Sequence, residues 1–542
     1  MTRTTIVLSL TALLSLAAVA CTDPTVAPKS SITSANVFSD PNSYKAFLAK
    51  IYGGLIVTGQ RGPDGNPDIE GIDEGFGEYL RLYWYLQEMP TDEAVIGWND
   101  PGLPTLNTGT WDASNQMVNA MYYRVFYQVM LVNEFLRQST DAKLAERGHT
   151  DAALVANVHT YRAEARFLRA LSYWHGIDLF GNIPLVTEND PLGAKPPAQA
   201  ARADIYAYVV SELNAILTDL PTGGPGIDAT YGRATPAAAH MLLAKLYLNA
   251  EIYTGTANYT GAVTEAQAVI SSTPAYSLAT NFRQNFSADN NTSPELIFVA
   301  AQDGGNTQTW GGMTFLIHAG CGAAMSAGSY GVDYCWAGYR MKQQAFRRFG
   351  TGDGRAAFFW LPDSALAHHD TLANGQPAQT DSVISIGDFH HGIPAPKFTN
   401  KTVAGANGQQ SGMVDTDFPI FRLADAYLIY AEANIRGGGG DPVAALGYLN
   451  AIRQRAYGNT SANFAALPPV DTILAERGRE LLFEANRRTD LVRFGVFSTN
   501  AYVWAWKGGS AGGAALPTGR DLYPLPANEL IANPNLTQNP GY

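Results

Sequence analysis

Cysteine is nearly absent: the 542-residue chain has three, Cys21, Cys321 and Cys335. No Cys-x-x-Cys pair and no histidine-rich frame occurs, so nothing points to structural zinc. Charge is sparse as well. Asp, Glu, Lys and Arg make up 15% of the residues, and the net charge is −12 with no basic cluster. Nucleic acid and anionic lipid are therefore poor partners. No stretch after the first twenty residues offers the roughly 18 uninterrupted apolar residues of a membrane span. His-Glu-x-x-His and P-loop motifs are missing, and no nucleophile elbow is expected, which sets aside the common zinc, nucleotide and serine chemistries. The adjacent histidines, His368-His369 (followed by Asp370) and His390-His391, lie in loop-like sequence without a ligand frame.

What is present begins with an export signal. Arg3 precedes an apolar, small-residue run from Ile6 to Ala20 that is too short for a membrane span. Ala18-Val19-Ala20-Cys21 then resembles a bacterial lipobox, in which the thiol is acylated and becomes the new N-terminus. Acyl chains contribute about 0.8 kcal/mol per buried CH₂, so several together anchor a chain firmly. The reading is residues 1–20 as signal peptide, 21–36 as a lipidated Pro/Ser/Thr-rich tether, and 37–542 as the body.

In the body, helical periodicity dominates. Ala163, Phe167, Leu171, Trp174 and Ile177 fall on one helical face. Thr235-Pro236 is an N-cap followed by Pro at the first helical position, and Leu242, Leu243, Leu246, Tyr247 and Ala250 continue its stripe. Leu423, Tyr427, Tyr430, Ala431 and Asn434 form another face, which Gly437–Gly440 stops and Asp441-Pro442 restarts as a second helix. One more helix is expected from Thr472 to Val492. Its acids and arginines (Glu476, Arg477, Glu480, Glu484, Arg487, Arg488, Asp490, Arg493) read as ion pairs between helices rather than as catalytic groups. Ala165, Ala170, Ala244, Ala250, Ala431 and Ala433 suit close helix approach. Helical repeats are expected mainly over 113–280 and 420–495. N-terminal binding loops are expected over 57–111, and a loop-rich binding insertion over 281–420 with strand-like runs such as Leu296–Ala300.

The chain holds 27 Tyr, 23 Phe and 9 Trp, and those outside the core are candidates for stacking on sugar rings. Cys321 and Cys335 suit either an exported disulfide or two small buried thiols. Asp64, Asn66 and Asp68 open like a calcium loop. However, Ile69 replaces the required Gly and Gly75 stands where the bidentate Glu belongs, so a simple turn is preferred and no cofactor is expected.

Several blocks carry a family likeness: YRAEARFLRALSYWHGIDLFGNIPLV (161–186), YGRATPAAAHMLLAKLYLNAEIY (231–253), FRLADAYLIYAEANIRGGGGDPVAALGYLNAIRQRA (421–456), ERGRELLFEANRRTDLVRFG (476–495) and LYPLPANELIANPNLTQNPGY (522–542). In this order they resemble the SusD/RagB family. The resemblance implies a mainly α fold, a right-handed superhelix of about four degenerate tetratricopeptide-like hairpins with a loop-rich ligand-binding region. It further implies a non-catalytic, cell-surface, outer-membrane lipoprotein held through Cys21. Such a protein passes glycans to a SusC-like TonB-dependent transporter. VTGQRGPDGNPDIEGIDEGFGEYLR (57–81), MPTDEAVIGWND (89–100) and VWAWKGG (503–509) look like the starch-binding branch. That likeness implies starch or another α-glucan as ligand. It places Trp98, Trp310 and Trp336 on an aromatic arc, and Asp73, Arg81 and Asn99 or Asp100 at polar contacts. Ile96 stands where a second arc Trp can occur, and Trp504 and Trp506 read as core or interface. The competing classes are a surface glycoside hydrolase, a binder of a different oligosaccharide and a pure interaction scaffold.

Overall fold

The structure is a computed structural model and describes residues 34–191, 193, 195–225, 229–322, 325–360 and 379–542. The export signal, Cys21, most of the tether and His368-His369-Asp370 lie outside the described residues. The chain divides into Met1–Ser43 and Tyr44–Tyr542. Of the first unit, the described part contains one helical turn, Ser34–Val37. The second unit, to which the rest of this account applies, is mainly α-helical. Its strands form two-stranded antiparallel pairs among the described residues.

The longest helix, Ala152–Phe180, starts where the Asp151 carboxylate accepts the Leu154 N–H at 2.8 Å. Ala163, Phe167, Leu171, Trp174 and Ile177 are all buried, as their spacing requires. This helix packs between Gln116–Gln138 and Arg202–Ile216. At Gly176 an added Cβ would lie 2.6 Å from Ile183 Cδ1, so a larger residue there would require the Ile183 side chain to shift. Pro236–Leu248 begins at the Thr235 cap, whose hydroxyl accepts from the Ala238 N–H. The helix ends sooner than its stripe suggests: Asn249 caps it, and Ala250 opens a separate helix, Ala250–Thr254.

Pro236–Leu248 packs on Tyr259–Ile270, which packs on Leu423–Ile435, which pairs with Pro442–Tyr457. Helices far apart in sequence thus join one stack across the inserted segment. The hairpin between the last two is built as its residues dictate. Gly437, Gly439 and Gly440 take positive φ, and Asp441 accepts from the Val443 N–H at 2.8 Å. Leu296–Ala300 is a strand, paired with Phe418–Arg422 at the point where the insertion rejoins the stack.

The expected helix over 472–492 is instead two, Val470–Glu480 and Arg487–Arg493. Phe483 and Ala485 between them adopt positive φ. The backbone groups released by the break find partners elsewhere. Phe483 O accepts from Trp84 Nε1 at 3.0 Å, Phe483 N donates to Glu93 at 3.2 Å, and Asn486 N donates to Glu88 at 3.3 Å. Tertiary contacts override the local helical pattern.

The charges flanking that break form a buried network. Arg422 donates to Glu295, Glu480 and Glu484 at 2.7–2.8 Å. Arg355 joins Glu476 and Glu480, while Arg477 bridges Asp425 and Asp490. Burial pushes the Glu476 carboxyl up, but the Arg355 and Arg479 charges and hydrogen bonds win and hold it at about 2. Replacing one member leaves others charged and unpaired in a medium that solvates them poorly. Arg422→Met is therefore expected to destabilise the fold by about 3–5 kcal/mol in chemical denaturation. An unchanged midpoint would show that the network carries no such constraint.

Candidate functional site

The site begins with a short strand pair. Ala94–Ile96 runs antiparallel to Tyr339–Met341, with Ile96 opposite Tyr339. The pairing continues as Gly97 N donates to Gly338 O at 2.9 Å. The chain leaving Ile96 and the chain arriving at Tyr339 therefore emerge at the same end. Trp98 and Trp336 meet there with ring centroids 6.3 Å apart and planes at 43°. Trp98 Nε1 donates to Trp336 O at 3.2 Å, which fixes the indole's polar edge. A Cβ at Gly338 would sit 2.8 Å from Trp98 Cζ2, so glycine is needed for the ring to lie down. Ile96 is fully buried, with its backbone N–H and carbonyl both bonded to the Asn107 amide, and presents no arc surface.

Both strands are anchored by buried charge. Asp92 accepts from Arg487 and Arg348 and from the Tyr502 hydroxyl. Burial opposes ionisation of Asp92, but those two guanidinium groups hold its carboxyl well below the usual range. Glu93 accepts from Arg348 at 2.8 Å. Across the pair, Lys342 Nζ donates to Met89 O and Thr91 O at 3.1 and 2.6 Å, and burial lowers its ammonium pKa to about 7.

The third indole arrives from another direction. Trp310 precedes the helix Gly312–Ala319 and lies 6.3 Å from Trp336. Its position is set by Glu78, the N-cap of Tyr79–Glu88. Glu78 accepts from the N–H groups of Leu80, Arg81 and Gly312 at 2.9, 2.6 and 2.8 Å, tying the two helix starts together. Burial raises the Glu78 pKa, while these donors and Arg124 oppose the rise. An added Cβ at Gly311 would lie 2.4 Å from the Glu78 Cβ. Trp98, Trp310 and Trp336 are all half-buried.

The polar candidates divide by depth. Arg81 is only 4% exposed. It donates to Gly75 O, Trp310 O and Tyr85 Oη at 2.8, 3.1 and 2.8 Å. Its guanidinium lies 4.0 Å from the Phe76 ring and 4.4 Å from Phe315. Asp73 is exposed and accepts from Gly75 N at 2.9 Å, and its Oδ1 and the Trp310 Cβ would each lie 3.1 Å from a Cβ added at Gly75. Asn99 is exposed and Asp100 half-buried, both directly following Trp98. Burial first, and then the nearby Asp100 charge, push the Tyr85 hydroxyl up to about 12 against the pull of Arg81.

Two supports hold Trp336, and sequence reasoning missed the first of them, His318. His318 is buried and stacks on that indole at 4.6 Å and 25°, with Nδ1 2.8 Å from Tyr334 O. Burial lowers its pKa, against the pull of the Tyr334 carbonyl and the nearby Asp333 carboxylate. Cys321 and Cys335 form a disulfide with Cα atoms 5.1 Å apart, pinning the residue before Trp336. Of the two readings open for these cysteines in the sequence, the disulfide is the one that forms.

Other flagged residues lie away from the rings. Asp68 is engaged by Lys50, Arg124 and Tyr127. Trp504 is buried, and Trp506 donates to Val383 O at 2.8 Å. One Gly-x-Ser-x-Gly string does occur, contrary to expectation, at Gly508–Gly512. Ser510 is exposed after the 3₁₀ turn Lys507–Gly509, without the strand-to-helix turn a nucleophile elbow requires.

Comparison with known proteins places this geometry. Residues 294–542 match the SusD family. The chain is 34% identical over 537 residues to the starch-binding protein SusD of Bacteroides thetaiotaomicron, covering 91% of each chain. It is 25% identical over 486 residues to SusD-like protein P25 of Formosa agariphila, covering 80% of this chain and 81% of that one. A solved SusD homolog from Bacteroides thetaiotaomicron superposes with TM-score 0.71 at 20% identity, over 94% of this chain and 98% of its own. Surface glycan-binding protein A from the same species, solved with laminarihexaose, gives 0.68 at 21% identity, over 92% and 99%. The structural likenesses establish the mainly helical fold, and the sequence identity over nine-tenths of the chain establishes descent: this protein belongs to the SusD family.

Proposed function

We propose that this chain is a non-catalytic, lipid-anchored outer-membrane protein. It captures starch and maltooligosaccharides at the cell surface and delivers them to a SusC-like TonB-dependent transporter. The observation that carries the reading is the cluster of three half-buried indoles brought from three distant segments into mutual contact. The similarity to the starch-binding protein SusD supports the α-glucan class.

Sugars expose apolar C–H faces rimmed by hydroxyls. Indole faces cover the first, and carboxylates and amides satisfy the second. Trp98, Trp310 and Trp336 supply the faces. Asp73, Asn99 and Asp100, exposed or half-buried beside them, supply acceptors and donors for hydroxyls. Arg81, expected at a sugar contact, is assigned a different task because it is buried: it holds the Trp310 carbonyl and supports the rings from below. A glycoside hydrolase needs two opposed carboxylates, one of them able to give up a proton near neutral pH. The acids of the 476–493 segment do not offer this. Glu476, Glu480, Glu484 and Asp490 are each locked to basic side chains, and Glu476 is held at about 2.

Isothermal calorimetry of the full chain with maltoheptaose is expected to give binding heat without release of reducing sugar. Trp98→Ala should weaken that binding about tenfold, equivalent to about 1.4 kcal/mol. Absence of heat with every α-glucan, alongside binding of laminarihexaose, would replace the ligand class. Steady reducing-sugar release would overturn the non-catalytic reading. Delivery rests on the family resemblance and on the tether over 22–36, which gives the body room to swing above a transporter. Shortening that tether is expected to slow maltooligosaccharide uptake by whole cells, and unchanged uptake would count against the swinging-lid role.

A further inference from the structure

Tyr334 lies outside the set of residues assigned above, yet it is the most open ring in the neighbourhood, 54% exposed. Its centroid is 6.2 Å from Trp336, with planes at 45°, nearly the spacing and tilt by which Trp98 and Trp310 meet the same indole. Trp336 is thus a hub touched by four rings, with His318 stacked on it and Trp98, Trp310 and Tyr334 tilted against it. No ring contact joins Tyr334 to Trp98 or Trp310 among the described residues, so it occupies its own stretch of the hub's edge. Its hydroxyl has no hydrogen-bond partner among the described residues. One side of the ring meets His318 edge-on at 5.7 Å, and that histidine is buried beneath Trp336.

The backbone carrying this exposed ring is fixed at each successive residue. Asp333 N donates to Ser411 O at 3.2 Å, and Tyr334 N donates to the Asp333 carboxylate at 2.9 Å. Tyr334 O faces His318 Nδ1 at 2.8 Å. Cys335 is bonded to Cys321, and Trp336 N donates to His318 O at 2.8 Å. An aromatic left open to water on so constrained a segment has its ordering entropy already removed, and a tyrosine has only two side-chain torsions left to lose. The exposed Asp333 carboxylate beside it is an acceptor for a sugar hydroxyl.

We infer that Tyr334 is a fourth ring of the binding platform, forming a subsite engaged only by glycans long enough to reach past Trp336. This rests on the glycan-binding reading and deepens it: Tyr334 makes the site discriminate by chain length. A short oligosaccharide is covered by the three indoles, and a longer one gains a further stacked face.

Calorimetry of the full chain with maltotriose and maltoheptaose tests this. Tyr334→Ala is expected to weaken maltoheptaose about fivefold, roughly 1 kcal/mol, and to leave maltotriose unchanged. Tyr334→Phe, which keeps the stacking face, should match wild type with both. Trp98→Ala should weaken both sugars. Wild-type maltoheptaose affinity in Tyr334→Ala, or an equal loss for both sugars, would overturn the subsite while leaving the three-indole reading in place. A wild-type chain that binds neither sugar would overturn both.

Discussion

Asp92 and Glu93 are carboxylates buried against Arg348 and Arg487, and the strand that carries Trp98 into the site starts from them. Arg348 belongs to the segment just after the strand that carries Trp336, and Arg487 to the C-terminal helices. One ion-pair cluster therefore clamps both site strands to the helical stack. Arg422 repeats the arrangement, joining the strand pair at the roots of the insertion to the Val470–Glu480 helix. Pairs of this kind add little net stability compared with apolar residues of the same shape. Their effect is on alternatives: any other placement of these segments strands a charge in the interior. The loops that bear the rings are long, and the network restricts where they can go.

That restriction bears directly on recognition. A glycan is flexible and loses freedom when it binds, so little affinity survives if the receptor must also order itself. Here the receptor side is ordered in advance. Trp98 is tied by its indole N–H, Trp310 by Arg81 and Glu78, and Trp336 by His318, the disulfide and the strand register. Part-buried rings held in this way fit the glycan-binding role proposed above.

Much of the helical scaffold was legible in the sequence because it is written locally. The Thr235-Pro236 cap, the Gly437–Gly440 stop and the Asp441-Pro442 restart are short-range signals, and each forms as written. The charged run after 476 was legible as ion pairing, since so many opposite charges on amphipathic helices leave few other fates. The break at 481–486 was not legible. Its partners, Trp84, Glu88 and Glu93, lie roughly 400 positions away, and no local pattern encodes them. The site follows the same division. Individual tryptophans could be picked out by family resemblance, but their convergence depends on Ile96 pairing with Tyr339 and on Glu78 reaching Gly312. The depth at which Arg81 sits cannot be read from residue type, and Tyr334 was one tyrosine among 27.

The central claim is that the indole platform is where the ligand lies, and a crystal structure of the protein soaked with maltoheptaose tests it most directly. The account predicts pyranose rings with their C–H faces on Trp98, Trp310 and Trp336, and hydroxyls turned toward Asp73, Asn99 and Asp100. Ordered glycan at another surface, with these three rings bare, would contradict it.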